Sequence, residues 1–117
     1  MQETSQKFKY LTSNERYAID LLAKRLKMSL QHDLLRLQFF GSKSRGDHST
    51  GSDIDILVVV KKRLSSIMDK IADAHLQVDL QYDPHISLFI LSKTEFEKNR
   101  LFQTPCFRNI ERDGIFL

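Results

Sequence analysis

One cysteine, Cys106, is all that the 117-residue chain contains. An internal disulfide is thereby excluded, and so is a zinc site built from cysteines. Long apolar runs are missing as well. The longest, Ile54 to Val60, is interrupted by Asp55 and falls far short of the ~20 residues that span a bilayer as a helix. Met1 to Tyr10 reads as polar, so no secretory leader is expected. These absences together lead to the expectation of a soluble chain in a reducing cytoplasm. None of His32, His48, His75 and His85 stands at metal-ligand spacing from another histidine or cysteine. Excess charge is also scarce. The net +3 resides wholly in residues 1–30, where six Lys/Arg face three Asp/Glu. A solvated basic helix face accounts for it, and the aromatic interleaving of a nucleic-acid surface is lacking.

Glycine is rare but concentrated: three of the four lie in Gly41 to Ser52, together with four serines, so this stretch is expected to be a loop. Residues 1–11 read as a polar lead-in and 12–117 as one domain. Thr12 and Glu15 have capping-box spacing, and Ala18, Leu21, Leu22, Leu26 and Leu30 recur at helical intervals, which predicts a helix over 13–31. Leu34 to Phe40 reads as a strand. Ile54 to Val60, rich in β-branched residues and apolar on both faces, reads as a central, doubly covered strand. A second helix follows, ending before Asp83-Pro84, then a strand over Ile86 to Leu91. A third helix opens at the Ser92/Glu95 capping box, and a short helical turn follows Pro105, stopped by Gly114. The expected fold class is α/β of the α+β type: a small mixed sheet of about three or four strands flanked by helices. The apolar residues from Phe102 to Leu117 cover the sheet or form a partner surface.

Chemistry concentrates between residues 39 and 60. A strand runs directly into Gly41-Ser42, where a glycine allows close approach and the Ser42 hydroxyl can hold phosphate oxygens. Arg45-Gly46 puts a cation in the same loop. Asp53-Ile54-Asp55 opens the next strand, and strand alternation sends the two carboxylates to one face while Ile54 points to the other. Two carboxylates on one face repel each other and are costly to desolvate. A hard divalent cation relieves both penalties, and magnesium favours one or two carboxylates plus substrate phosphates. A Walker loop is excluded: Ser52 and Asp53 stand where Lys and Ser/Thr are required, and a strand follows rather than a helix.

Phe40-Gly41-Ser42-Lys43-Ser44-Arg45-Gly46 followed by Ser52-Asp53-Ile54-Asp55-Ile56-Leu57-Val58 resembles the signature of the DNA polymerase beta nucleotidyltransferase superfamily, and in particular its minimal nucleotidyltransferases. The resemblance implies the polymerase-beta-like fold. It also implies that Gly41, Ser42, Arg45 and Ser52 form the nucleotide site, and that Asp53 and Asp55 are the catalytic pair that holds Mg2+. The implied activity is transfer of a nucleoside monophosphate, AMP from ATP by expectation, to a hydroxyl of a protein or small molecule. Minimal members often act as antitoxins beside a helical HEPN-type toxin, which makes such a protein the expected partner; self-association is left open. One departure stands out. Active members usually carry a third carboxylate on a later strand, where this chain has Ser87 and Phe89; Asp79 and Asp83 are the substitutes at hand. The alternative is a non-catalytic module that binds nucleotide or a partner. Phe107-Arg108-Asn109-Ile110 with Asp113-Gly114-Ile115 also resembles the C-terminal end of one branch of the minimal family.

Overall fold

The computed structural model describes residues 8–46 and 53–117. Helix α1 (Ser13–Leu30) starts where the capping box predicts: Glu15 N–H donates to Thr12 Oγ1, and Thr12 N–H donates to the Glu15 carboxylate. Its buried stripe is Ala18, Ile19, Leu22, Leu26 and Leu30. A 3-10 turn (Gln31–Asp33) leads into β1 (Leu34–Phe40). A single turn of helix, α2 (Ser42–Arg45), follows immediately. Then come β2 (Ile54–Val60), α3 (Ser65–Tyr82), β3 (Ile86–Ser92), α4 (Lys93–Leu101), α5 (Pro105–Asp113) and β4 (Ile115–Phe116).

The four strands form one mixed sheet in the order β3-β2-β1-β4. β1 is antiparallel to both β2 and β4, while β2 and β3 are parallel, joined by α3 as the crossover. Alternation divides β2 between two cores. Ile54, Ile56, Val58 and Val60 enter the larger one with Leu37, Phe39 and the buried residues of α1 and α3. Leu57 and Val59 enter the smaller one with Phe40, Phe96, Phe107 and Ile110, beneath α4 and α5. Each such fully buried large side chain contributes about 1.5–3 kcal/mol. No described helix is long and apolar enough to cross a membrane.

Four expectations change. The loop expected over 41–52 contains α2. The turn after Pro105 is a nine-residue helix, because Thr104 caps it and Pro105 takes a first-turn position that needs no N–H donor. The C-terminus adds β4, pairing Gln38 with Phe116 and Phe39 with Ile115. The polar lead-in ends before Phe8, whose ring is buried, stacks on Phe39 at 5.9 Å and carries the Arg16 guanidinium 4.2 Å above it. The C-terminal apolar residues split: Phe107 and Ile110 are buried, whereas Phe102 and Phe116 are exposed.

Candidate active site

The site lies where β1 ends and β2 begins. Phe40 is the register partner of Asp55 across the β1–β2 ladder, and Ser87 is its partner across β2–β3. Asp55 is therefore flanked on both sides by strands, with its carboxylate on the α4/α5 face. The next residue after Phe40 is Gly41, at φ +93°, a conformation that side chains rarely adopt. A Cβ there would collide with Asp55 Oδ2, with Asp55 Cγ at 3.2 Å and Cβ at 3.3 Å. The glycine thus serves two needs: it turns the chain from strand into α2, and it lets the backbone lie against a carboxylate.

Asp53 shares that face. Its Oδ2 accepts a 2.7 Å hydrogen bond from Ser87 Oγ, and Ser87 is the residue opposite Asp55. Burial, then the charge of Asp53, pushes the Asp55 carboxyl above its usual range, against a lowering by Arg45. Desolvation and a like charge nearby both disfavour the ionised form of Asp55. Cys106, at the start of α5, feels the same field: burial, then the Asp55 charge, pushes its thiol up, so it stays protonated and free.

α2 is fastened to the rest of the fold through Lys43, Ser44 and Arg45. Its own turn closes through Ser44 N–H and Gly46 N–H, which donate to Gly41 O at 3.0 Å and Ser42 O at 2.8 Å. Lys43, buried despite its charge, pairs with Glu15 of the α1 capping box. Burial alone would raise the Glu15 pKa, but bonds from Lys43 and Thr12 outweigh it and hold the carboxylate low. Arg45 Nη1 reaches Asp113 Oδ2 at 2.6 Å, and Asp113 also takes Arg112. The Asp113 carboxylate is likewise held low, its burial overcome by the Arg112 and Arg45 bonds. Ser44 Oγ lies within hydrogen-bond reach of Gly41 O and Asp113 O, at 2.9 and 3.2 Å. At Gly46, φ +87°, a Cβ would overlap the Tyr10 ring.

The structure thus brings together Gly41, Ser42, Arg45, Asp53 and Asp55 of the expected set. Ser52 and His48 lie outside the described residues. Asp79 does not join: it sits on α3 with His75 Nε2 at 3.6 Å from Oδ2. Asp83 caps α3, exposed at φ 49°. Among the described residues, no third Asp, Glu, His or Cys completes a metal-binding cluster with Asp53 and Asp55. Sequence reasoning missed Lys43 and Asp113. The capping-box glutamate with an oxygen to spare was the available signal for Lys43. Asp113-Gly114, noted only as a resemblance, has its mechanism in the Arg45 anchor.

The family model for the nucleotidyltransferase domain matches the chain over residues 19–107, a stretch that contains the Gly41 turn and both carboxylates. A solved structure of a candidate nucleotidyltransferase from Sulfolobus solfataricus is similar at 22% identity, over 85% of this chain and 84% of that one, with a TM-score of 0.42. No curated protein matches the chain.

Proposed function

The chain belongs to the nucleotidyltransferase-domain family, and from that premise we propose that it transfers a nucleoside monophosphate, AMP from ATP, to an acceptor hydroxyl, in a reaction that depends on magnesium. The observation that carries this reading is the packing of Gly41 against the Asp55 carboxylate with Asp53 beside it. It puts the Gly41-Ser42 turn and a two-carboxylate face at one end of the sheet.

The residues present fit a hard divalent cation. Asp53 and Asp55 offer oxygen donors on one face, and the raised Asp55 pKa is the penalty a cation would remove. Bound there, magnesium would neutralise charge developing on the α-phosphate and the leaving pyrophosphate. The chain's own contributions are positional. The turn at Gly41 and Ser42 holds the β- and γ-phosphates with backbone N–H groups and the Ser42 hydroxyl. Arg45, fixed by Asp113, keeps that turn in place and adds positive potential. Ser87 orients Asp53. The acceptor oxygen bonds to the α-phosphorus, the bond to the β-phosphate oxygen breaks, and pyrophosphate departs. The hydroxyl proton passes to water or to a carboxylate brought by the acceptor, since Ser87 stands where a base would be expected. A HEPN-type helical protein, encountered in the cytoplasm, is the acceptor and partner that the family resemblance favours.

Ser87 in place of an acid supports a second reading, a module that binds nucleotide without turnover. Incubation with α-labelled ATP, magnesium and candidate acceptors separates the two. Transfer of label by the wild type, retained in Asp79→Asn and Asp83→Asn and lost in Asp53→Asn, is expected. Binding of MgATP with no transfer to any acceptor supports the binding module.

A further inference from the structure

Strand β1 is only half covered on its outer side. β4 pairs with Gln38 and Phe39, and Leu117 N–H reaches Leu37 O at 3.1 Å. Leu34, Leu35 and Arg36 have β2 on one side and, among the described residues, no strand on the other. An open strand edge is a row of backbone donors and acceptors ready to pair with another chain. Apolar side chains stand beside it: Leu35 is 44% exposed and Phe116 is 67% exposed. Three surface grooves, of about 440, 510 and 290 Å³, meet at Phe116.

The charges around this edge are mostly of one sign. Lys24, Lys27 and Arg36 line the grooves, and among the described residues none of the three forms an ion pair. Arg36 is held ready: Gln38 Oε1 accepts from it at 3.0 Å, and its guanidinium lies 4.6 Å from the Phe96 ring and 5.4 Å from Phe116. The lining carboxylates are Asp20, which pairs with Arg16 at 3.6 Å, and Glu111; Glu97, paired with Arg100 at 2.8 Å, also lies within electrostatic reach of Arg36.

We propose that this half-open edge is a docking site for an extended acidic segment of a partner protein, which adds as a strand beside Leu34–Arg36. Main-chain bonds to the edge supply affinity, Leu35 and Phe116 supply apolar contact, and the cations select acidic side chains. A second copy of this chain fits worse, because edge-to-edge pairing would set Lys27 and Arg36 of one copy against the same cations of the other. A nucleic acid would satisfy the cations but leave the strand edge and Leu35 without use.

The test takes the full chain at about 0.15 M salt, where exposed charges beyond ~8 Å are screened. Three fluorescent probes are compared by anisotropy: a short alternating glutamate–valine peptide, its lysine–valine counterpart, and oligouridylate. The acidic peptide is expected to bind, with amide exchange within Leu34–Arg36 slowed in the complex. The double variant Lys24→Glu with Lys27→Glu should weaken that binding by at least about tenfold, while Asp53→Asn should leave it unchanged. Equal binding of the basic peptide, tighter binding of oligouridylate, acidic-peptide binding without protection of Leu34–Arg36, or no acidic-peptide binding would each overturn the proposal. Because the assay reads peptide binding and not nucleotide binding, a failed nucleotide site and a failed docking edge are told apart.

Discussion

The two faces of the sheet use the same strands for different ends. Under α1 and α3, β2 presents Ile54, Ile56, Val58 and Val60, all buried. Under α4 and α5 it presents Asp55, then Leu57 and Val59, so the smaller core begins only after the acid has been placed. One strand therefore packs a core on its even residues and on its later odd ones, and leaves position 55 to an acid. The parity of a β-strand keeps the two roles from interfering, because neighbours in sequence point to opposite layers.

Substitutions at successive positions of β2 are the most direct way to break that comparison. Ile56→Ala should destabilise the fold by about 2–5 kcal/mol in urea denaturation, through lost burial and a cavity. Asp55→Asn, one residue away, should cost nothing or stabilise, since it removes a charge that burial and Asp53 disfavour. Comparable losses at both positions would mean that the acid at position 55 carries the fold as well.

Nucleotide binding sharpens the comparison from the other side. At a MgATP concentration one hundred times the Kd, the wild type should gain about 2.7 kcal/mol of stability. The Asp53→Asn, Asp55→Asn double variant should lose the magnesium-dependent increment, and Ile56→Ala should keep it relative to its own lower baseline. Thermal melts with and without magnesium measure this. An undiminished increment in the double variant would place the nucleotide elsewhere.

A smaller effect is expected at the anchor of α2. Asp113→Asn should cost about 1–2 kcal/mol, the value of charged hydrogen bonds discounted because Arg45 is one-third exposed. It should also weaken nucleotide binding, since the phosphate turn loses its tether. Arg112→Ala, which removes the more exposed partner of the same carboxylate and leaves Arg45 to pair it, should cost less. Equal effects of the two would remove the special role of the Arg45 pair.

The smallest effect is in pH dependence. Glu15 and Asp113 have lowered folded-state pKa values, so their stabilisation is complete above the ordinary carboxylate range and is lost as pH falls through the folded values. Asp55 has the opposite sign. Its raised pKa makes the ionised form a cost above the folded value, and that cost disappears as pH falls through it. The stability advantage of Asp55→Asn at neutral pH should therefore shrink on acidification toward the usual carboxylate range. Denaturation curves at several pH values test this, and a constant difference would contradict it.

Much of this arrangement was legible in the sequence wherever a local rule decided it. Two capping boxes marked the starts of α1 and α4, with both reciprocal bonds present in each. The β-branched run marked β2, and strand alternation put Asp53 and Asp55 on one face. What stayed hidden depends on distant partners. α2 is too short for any periodic signal; it stands on Gly41, on Lys43 reaching Glu15, and on Arg45 reaching Asp113, 68 positions away. β4 is two residues whose strand character exists only in pairing with Gln38 and Phe39. Phe8 looked like part of a polar lead-in until Phe39 and Arg16 gave its ring a place.

The carboxylate of Glu15 is divided: Oε1 takes Thr12 N–H and Oε2 takes Lys43 Nζ. The terminal turns of a helix open more readily than its middle. Each time the start of α1 opens, the same motion withdraws one of the supports of the turn at Gly41 and Ser42, in a segment far removed in the chain. A bound triphosphate, by holding that turn closed, would therefore slow the breathing of α1. Amide exchange in the first turn of α1 then becomes a reporter of whether the site is filled.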